Sequence, residues 1–374
     1  MNEEVEAKAK AAYEKAAGLL NQWYTMIKRH EALQAVSLRY EIRNLLSKME
    51  KNRDLELYFQ LLDYRCKLMM EQFAESAELF RKIKRQKETV KIADDIIQYY
   101  FFFFSGMYEF YEKNYLEAIS CYKKAEMKLH KLTDEIEKAE FYYKIATAYY
   151  QIDDHFRSLN YSEKALSLFS KHKEYIDKTI GCEMILGSVQ FELFRIKQAE
   201  EHYGRALDQA VSLQNRRIIG LIYHNMGLNY AKCSMPLLAE EHFRKALSIG
   251  VHEQSVFGIN TLFELSHLMY KNGSPEEARR LCKEGFTRAA EQGEDEYAAK
   301  FRLIFALYDA GHPLDIELSL EYMSDKRLWP HVAELTKDIA DYYMKSGDYE
   351  KSALYLEKSQ HAKNQIYKMK EGLI

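Results

Sequence analysis

Proline is rare in this sequence, with only four in 374 residues. Each one falls near a predicted helix start, where a missing backbone N–H costs little. They are Pro236, Pro275, Pro313 and Pro330. No strand-like alternation of useful length is present either. The sequence therefore predicts helix after helix, joined by short turns.

Cysteine pairs, a charge excess and long apolar runs are also lacking. The five cysteines are scattered with no CxxC, which favours reduced core thiols in a cytoplasmic protein. Net charge is −3, so no basic field is present to hold nucleic acid. The most apolar run, FFFF at 101–104, is far too short to span a bilayer, and the charged N-terminus does not resemble a signal peptide. We expect no direct nucleic-acid partner and no membrane association.

Motifs that would hold a nucleotide, a catalytic metal or a nucleophile are missing. GxxxxGK[ST], GxGxxG, HExxH and GxSxG do not occur. His202 and His242 lie forty residues apart, and we interpret them as equivalent positions of a repeat rather than as metal ligands. We therefore expect no metal and no cofactor.

What the chain does contain is a repeat of about forty residues. A small residue recurs at that interval, and a second follows each one twelve places later, as Gly106 and Ala118 do. The segments AEEHYGRAL at 199–207 and AEEHFRKAL at 239–247 are nearly identical. This spacing is that of tetratricopeptide repeats, whose small residues let paired helices pack closely. Residues 92–363 hold seven such units and predict a protein that binds along a groove.

The first 76 residues do not fit the repeat. Their apolar spacing predicts three helices, at about 3–29, 33–50 and from 54 onward, in an antiparallel bundle. The basic, polar stretch 77–91 is predicted to be a linker and a candidate hinge, and 92–374 to be the repeat domain. The predicted fold is all-α, with a three-helix bundle followed by a superhelical array of about seven tetratricopeptide-like repeats.

In such repeats the first helix of each pair lines the concave face. Among the inward positions of these helices we select five candidate peptide-binding residues: Tyr150, Glu192, Asn225, Asn260 and Glu264. The amide of Asn225 can both donate to and accept from a peptide backbone. The carboxylates of Glu192 and Glu264 could hold a basic side chain or an amino terminus.

Four long segments carry a resemblance to a known family. They are LNQWYTMIKR at 20–29, QYYFFFFSGMYE at 98–109, DEIEKAEFYYKIATAYY at 134–150 and HNMGL at 224–228. With its bundle, basic linker and long repeats, the chain resembles the Rap proteins, the response-regulator aspartate phosphatases of Bacillus. The resemblance covers essentially the whole chain.

The resemblance implies a quorum-sensing receptor in the cytoplasm whose protein partner is a response regulator. Some members remove phosphate from the receiver of the sporulation phosphorelay, and others sequester the DNA-binding domain of the competence regulator. A short secreted and re-imported peptide binds the repeat groove and drives the bundle onto the repeats. The family's peptide-contacting Asn matches Asn225, and an acidic groove residue of the family falls at Glu192.

One position departs from the family pattern. Phosphatase members place a Gln before the third helix to orient the attacking water, and the aligned residue here is Arg53. A guanidinium only donates hydrogen bonds, so it could bind a phosphoryl group without activating water. Gln60 lies about two helical turns further on and is a poor substitute. We assign the response-regulator contact to Arg53, Leu55 and Tyr58.

Three hypotheses follow. The first is a peptide-controlled protein that binds and inhibits a response regulator without phosphatase turnover. The second is an active aspartyl-phosphate phosphatase that positions its water by another group. The third is a generic peptide-binding scaffold or a peptide-responsive transcription factor, for which segment 33–50 offers only a weakly basic recognition helix.

Overall fold

The computed structural model describes residues 2–309 and 312–371. Within those residues it contains twenty α-helices, two short 3₁₀ turns and no strand, which confirms the all-α prediction. The helices preceding the repeats are α1 Asn2–Lys28, α2 Ala32–Lys48, α3 Arg53–Met69, α4 Phe73–Lys84 and α5 Lys87–Ile92. None of the described helices is both long enough and apolar enough to cross a membrane.

The repeats follow as helices of 12 to 23 residues, apart from the four-residue α14. Their bounds are α6 Asp95–Tyr111, α7 Tyr115–Glu126, α8 Glu135–Gln151, α9 His155–Phe169, α10 Ile176–Glu192, α11 Ile196–Ser212, α12 Arg216–Lys232, α13 Pro236–Leu247, α14 Gly250–Glu253, α15 Val256–Lys271, α16 Pro275–Glu291, α17 Asp295–Tyr308, α18 Pro313–Asp325, α19 Trp329–Ser346 and α20 Tyr349–Glu371. Six of the predicted pairs pack together as helical hairpins: α6–α7, α10–α11, α12–α13, α15–α16, α17–α18 and α19–α20.

The chain divides into two compact units, Met1–Gln151 and Ile152–Ile374. Helix α8 closes the N-terminal unit and α9 opens the C-terminal unit. Each unit is described by itself below. That residues 1–76 act as a domain of their own stays a prediction.

The segment 77–91, predicted as a linker, is helical over most of its length. It carries the second half of α4 and most of α5. Phe80 and Ile83 of α4 are fully buried, and the Phe80 ring lies 4.5 Å from that of Tyr64 on α3. Arg81 and Lys82 are exposed on the outer side of α4, an amphipathic helix that packs on α3 and α6.

The repeated small residues do bring paired helices into close contact. A Cβ added at Gly187 would lie 2.7 Å from the Tyr203 ring, sixteen residues later on the partner helix. A Cβ at Gly227 would lie 2.5 Å from the Phe243 ring, at the same spacing. Glycine thus leaves room for an aromatic ring of the second helix, which confirms the packing explanation for its helix-propensity cost.

Candidate functional site

Arg53 is the first residue of α3 and stands at the α2–α3 turn. The preceding Asn52 caps the helix, because its side-chain oxygen accepts from the backbone N–H groups of Asp54 and Leu55 at 3.1 and 3.0 Å. The Arg53 side chain is exposed and makes no hydrogen bond or ion pair with any residue that the structure describes. A guanidinium at the positive end of a helix dipole makes this turn suited to an anion.

Leu55 and Tyr58 face the opposite way from Arg53. They are 3% and 8% exposed, and the Tyr58 ring stacks on Tyr100 of α6 with centroids 5.3 Å apart. The Tyr58 hydroxyl donates to the Asn21 side chain at 3.2 Å. The predicted regulator contact through Leu55 and Tyr58 therefore has almost no exposed surface in this conformation, because their apolar spacing turns them into the core.

Gln60 is also occupied. It is partly buried on α3, and its side-chain oxygen accepts from the Gln86 amide at 2.7 Å. The amides of Asn52 and Gln60 are thus both engaged within the protein. The Asn52 oxygen already accepts two hydrogen bonds, and Gln60 lies about two helical turns beyond Arg53.

A buried charged cluster links α1 to α8 in the N-terminal unit. Glu137 is fully buried, and its Oε1 accepts from the hydroxyls of Tyr24 at 3.1 Å and Tyr99 at 3.2 Å. The ammonium of Lys28 lies 3.6 Å from Oε2 of Glu137 and 2.6 Å from Asp134. Burial raises the pKa of Glu137 and Lys28 lowers it.

The same packing surface carries a second cation from α3. The Arg65 guanidinium lies 3.7 Å from the Glu140 carboxylate and 5.6 Å from the centre of the Phe104 ring. Both charged side chains are almost fully buried. The N-terminal helices α1 and α3 are thus joined to the helices of the first repeats by ionic contacts as well as by aromatic packing.

Four of the five predicted peptide-binding residues lie in the C-terminal unit, on first helices that touch one another. Helix α10 packs on α12, α12 on α15 and α15 on α17, and we call these four helices the inner row. Glu192, Asn225, Asn260 and Glu264 lie on this row and are all partly buried. Tyr150, also partly buried, belongs to the N-terminal unit at the end of α8.

The two asparagines of the inner row differ in their partners. The Asn225 side chain makes no hydrogen bond to a described residue, while its backbone carbonyl accepts from the Asn229 amide at 2.8 Å. Asn229 also donates to the Tyr203 hydroxyl at 2.9 Å, which fixes this part of α12 against α11. The Asn260 amide nitrogen lies 3.3 Å from Nε2 of His224. Asn225 thus keeps its full hydrogen-bonding capacity for a ligand.

The two predicted acidic residues also differ. Glu192 forms an ion pair with Lys232, which stands at the equivalent end of the next inner helix. Glu264 has no hydrogen bond or ion pair with a described residue. Burial, followed by the charge of Glu334, raises the pKa of Glu264 to about 8, while Lys300 and Lys232 lower it. Glu264 is therefore a partly buried carboxylate of the inner row that has no ion pair with a described residue.

The comparisons with known proteins fit this architecture. A family model for the N-terminal part of response regulator aspartate phosphatase H matches residues 10–71. The chain is 30% identical to response regulator aspartate phosphatase I of Bacillus subtilis, over 96% of this chain and 94% of that one. This chain belongs to the Rap family.

Solved Rap structures extend the likeness to the fold. A Rap protein complexed with Competence and Sporulation Factor matches with a TM-score of 0.87 at 31% identity, covering 95% of this chain and 99% of that chain. The Rap conjugation gene regulator of plasmid pLS20, in complex with the Phr* peptide, matches with a TM-score of 0.69 at 32% identity, covering 96% and 98%. The family-model match includes the α2–α3 turn of this Rap protein and hence Arg53.

Sequence reasoning missed several charged residues of this Rap protein's inner row. Lys232 follows Glu192 by forty residues, and Lys271 follows Lys232 by thirty-nine, so the repeat period itself could have placed them. Lys271 pairs with Asp338 of α19 at 2.8 Å. No sequence signal indicates which carboxylate each lysine neutralises, because that depends on the angles between the helices.

No group of three or more His, Cys, Asp or Glu side chains suited to a metal ion is present in residues 2–309 and 312–371. His202 lies 2.6 Å from the Glu183 carboxylate, whereas His242 lies 2.8 Å from the backbone carbonyl of Leu238. The two repeat-equivalent histidines therefore have separate structural partners.

Proposed function

We propose that this Rap protein binds and inhibits a response regulator in the cytoplasm without phosphatase turnover, under the control of a short signalling peptide. The regulator is either a competence-type DNA-binding regulator or the receiver of the sporulation phosphorelay. The peptide is secreted, re-imported and bound along the inner row. No cofactor takes part.

The proposed absence of turnover rests on the presence of Arg53 at the α2–α3 turn. Hydrolysis of an aspartyl phosphate requires a group that accepts a hydrogen bond from the attacking water and holds it in line. The guanidinium of Arg53 cannot accept, and the amides of Asn52 and Gln60 are already bonded within the protein. An exposed guanidinium can still pair with a phosphoryl group or a carboxylate of the regulator, which supports binding without hydrolysis.

The inner row supports the peptide. The Asn225 side chain has no partner among the described residues and can both donate to and accept from a peptide backbone. Since Glu192 is paired with Lys232, the unpaired Glu264 is the better position for a cationic group of the ligand. We therefore expect a short peptide with a basic residue or a free amino terminus near Glu264.

Calorimetry tests the peptide assignment. A library of short synthetic peptides with free termini is screened on the wild type, and the best binder is titrated into wild type and Asn225→Ala. The expected result is that Asn225→Ala abolishes the peptide response but leaves regulator binding intact. Asn160→Ala, an exposed asparagine of α9, serves as the matched control. Unchanged affinity in Asn225→Ala removes this residue from the site.

The second candidate function is that of an active aspartyl-phosphate phosphatase. The observation that favours it is the similarity to response regulator aspartate phosphatase I, whose name states that activity. It requires a water-positioning group other than Arg53. Turnover of a phosphorylated receiver by substoichiometric wild-type protein distinguishes it from the first proposal.

A further inference from the structure

A buried chain of hydrogen bonds runs behind Asn260. Thr261 is fully buried on α15, and its hydroxyl oxygen lies 2.9 Å from Nδ1 of His224 and 2.9 Å from Nε2 of His252. The same oxygen lies 2.8 Å from the backbone carbonyl of Phe257. The other ring nitrogen of His224, Nε2, lies 3.3 Å from the Asn260 amide nitrogen. The chain thus connects the short helix α14 to the inner row.

Both imidazoles are neutral at neutral pH. His252 is fully buried and His224 is 3% exposed. Burial, together with the neighbouring His252, lowers the pKa of His224 to about 3, and burial lowers that of His252 to about 4. Each ring therefore carries one N–H and one bare nitrogen, and the positions of these protons decide which way the chain runs.

The single hydroxyl proton of Thr261 has three acceptors within reach: the Phe257 carbonyl, His224 and His252. Donation to His252 would leave a buried Nδ1–H on that ring without an acceptor among the described residues, which leaves two arrangements. In the first, Thr261 donates to the Phe257 carbonyl and accepts from both histidines, so that Nε2 of His224 is bare and accepts from the Asn260 amide. This arrangement makes four hydrogen bonds. In the second, Thr261 donates to His224, whose Nε2–H then donates to the Asn260 oxygen, and only three bonds form. The first is favoured because the Phe257 bond is retained.

The surroundings of the second ring nitrogen of His252, Nδ1, also favour the first arrangement. Nδ1 of His252 is buried and has no hydrogen-bond partner among the residues that the structure describes. A bare nitrogen in that position costs less than an unsatisfied N–H. The proton of His252 therefore belongs on Nε2, from which it is donated to Thr261.

We propose that Thr261, acting through His224, fixes the Asn260 amide with its nitrogen toward His224 and its oxygen available to accept a backbone N–H of the bound peptide. Thr261 and His224 are positioning residues, and Asn260 is the residue that contacts the ligand. The inference rests on the proposed peptide-binding function. It adds that this position of the inner row selects a hydrogen-bond donor of the peptide.

Thr261→Val reverses the arrangement while keeping the side-chain shape. Nδ1 of His224 then faces a methyl group, so its proton moves to Nε2, and the Asn260 amide turns to present its nitrogen to the ligand. Thr336→Val is the matched control, because Thr336 is a fully buried threonine of α19 whose hydroxyl bonds only to backbone carbonyls. Thr336→Val also removes a buried threonine hydroxyl, but one that does not bond to His224 or His252.

The first measurement needs no peptide. Nitrogen-15 NMR of histidine-labelled protein reports which ring nitrogen of His224 is protonated, with the His224 signals identified by their loss in His224→Asn. We expect Nδ1–H in the wild type and in Thr336→Val, and Nε2–H in Thr261→Val. Nε2–H in the wild type overturns the proposed orientation.

The second measurement uses the best binder from the peptide library and a set of its analogues, each with one backbone amide replaced by an ester. In the wild type, one ester position is expected to weaken binding about tenfold, the effect of one hydrogen bond. That sensitivity is expected to disappear in Thr261→Val and in Asn260→Ala. A pattern of ester sensitivity that is the same in all three proteins overturns the inference, whatever their overall affinity.

The two measurements separate two kinds of failure. If His224 shows the expected proton position but no library peptide binds the wild type, the proposed peptide function fails and the ligand part of this inference falls with it. If peptides bind and respond to Asn225→Ala but no ester position depends on Asn260, the peptide function stands and this inference alone is overturned.

Discussion

Replacing Lys28 by methionine removes the cation from the buried cluster that joins α1 to α8. The ammonium is 3.6 Å from the carboxylate of Glu137, which is fully buried. It also pairs with Asp134, whose side chain is 48% exposed. Methionine fills a similar volume, so the main effect is that the buried charge of Glu137 loses its counter-charge.

The expected cost comes almost entirely from Glu137. Two unit charges 3.6 Å apart at an effective dielectric constant of about 20 interact by roughly 4–5 kcal/mol. Breaking a buried pair from one side costs roughly 3–5 kcal/mol, and the exposed Asp134 adds at most about 1 kcal/mol. We expect Lys28→Met to lower the free energy of unfolding of the N-terminal unit by about 3–5 kcal/mol at neutral pH.

The loss depends on pH with a definite sign. Burial holds the pKa of Glu137 above its usual value, and removal of Lys28 raises it further. The protonated form therefore favours the folded state, and that stabilisation is fully present below the unfolded pKa and is lost as the pH rises through the folded pKa. Lys28→Met should approach wild-type stability in acid and fall furthest behind at high pH.

Urea denaturation followed by Trp23 fluorescence measures this effect. Trp23 is fully buried on α1, and Trp329→Phe removes the other tryptophan of the chain. Lys82→Met is the matched control, since Lys82 pairs with Glu78 on an exposed helix surface and should matter by less than about 1 kcal/mol. The double variant Lys28→Met/Glu137→Gln should recover most of the loss. Equal effects of the two lysine variants, or no recovery, would refute the reasoning.

Two further predictions concern the C-terminal unit. Gly187→Ala should lower the free energy of unfolding by about 1–3 kcal/mol, because the new methyl group meets the Tyr203 ring, whose hydroxyl is held by Asn229. The control Gly204→Ala, which has nothing within 4 Å of the new methyl group, should be neutral or stabilising. Thermal unfolding measures both variants, and equal effects would contradict the packing explanation. A cationic peptide should bind more tightly as the pH rises from about 4.5 to about 8, because Glu264 must lose its proton to pair with the peptide. Calorimetry should show that Glu264→Gln abolishes this pH dependence of binding. A dependence that persists in Glu264→Gln would rule out Glu264 as its cause.

The helical pairs could be predicted because their signal is periodic. Glycines at a spacing of forty residues, such as Gly187 and Gly227, mark the crossing points of paired helices, and the structure places an aromatic ring against each one. Helix α4 was missed because only a narrow stripe that includes Phe80 and Ile83 is apolar there. Its burial depends on packing against α3 and α6, which the residue pattern of α4 alone does not reveal.

The candidate site was only partly predictable for the same reason. Counting inward positions of a repeat places Asn225 and Glu264 on one row of helices. It does not show that Glu192 is already neutralised by Lys232, nor that Thr261 lies between two histidines. It also placed Leu55 and Tyr58 on a contact surface, whereas their apolar spacing turns them into the core of the N-terminal unit. Such pairings depend on rotamers and on the angles between helices.

The central claim is regulator binding without turnover, and the most direct test is the loss of labelled phosphate from a phosphorylated sporulation-phosphorelay receiver. Substoichiometric wild type, Arg53→Gln and Lys51→Gln are compared, the last being an exposed cation of the same turn. We predict that only Arg53→Gln turns over, since its amide can accept from water. Turnover by the wild type would contradict the account and would require another water-positioning group in the N-terminal unit.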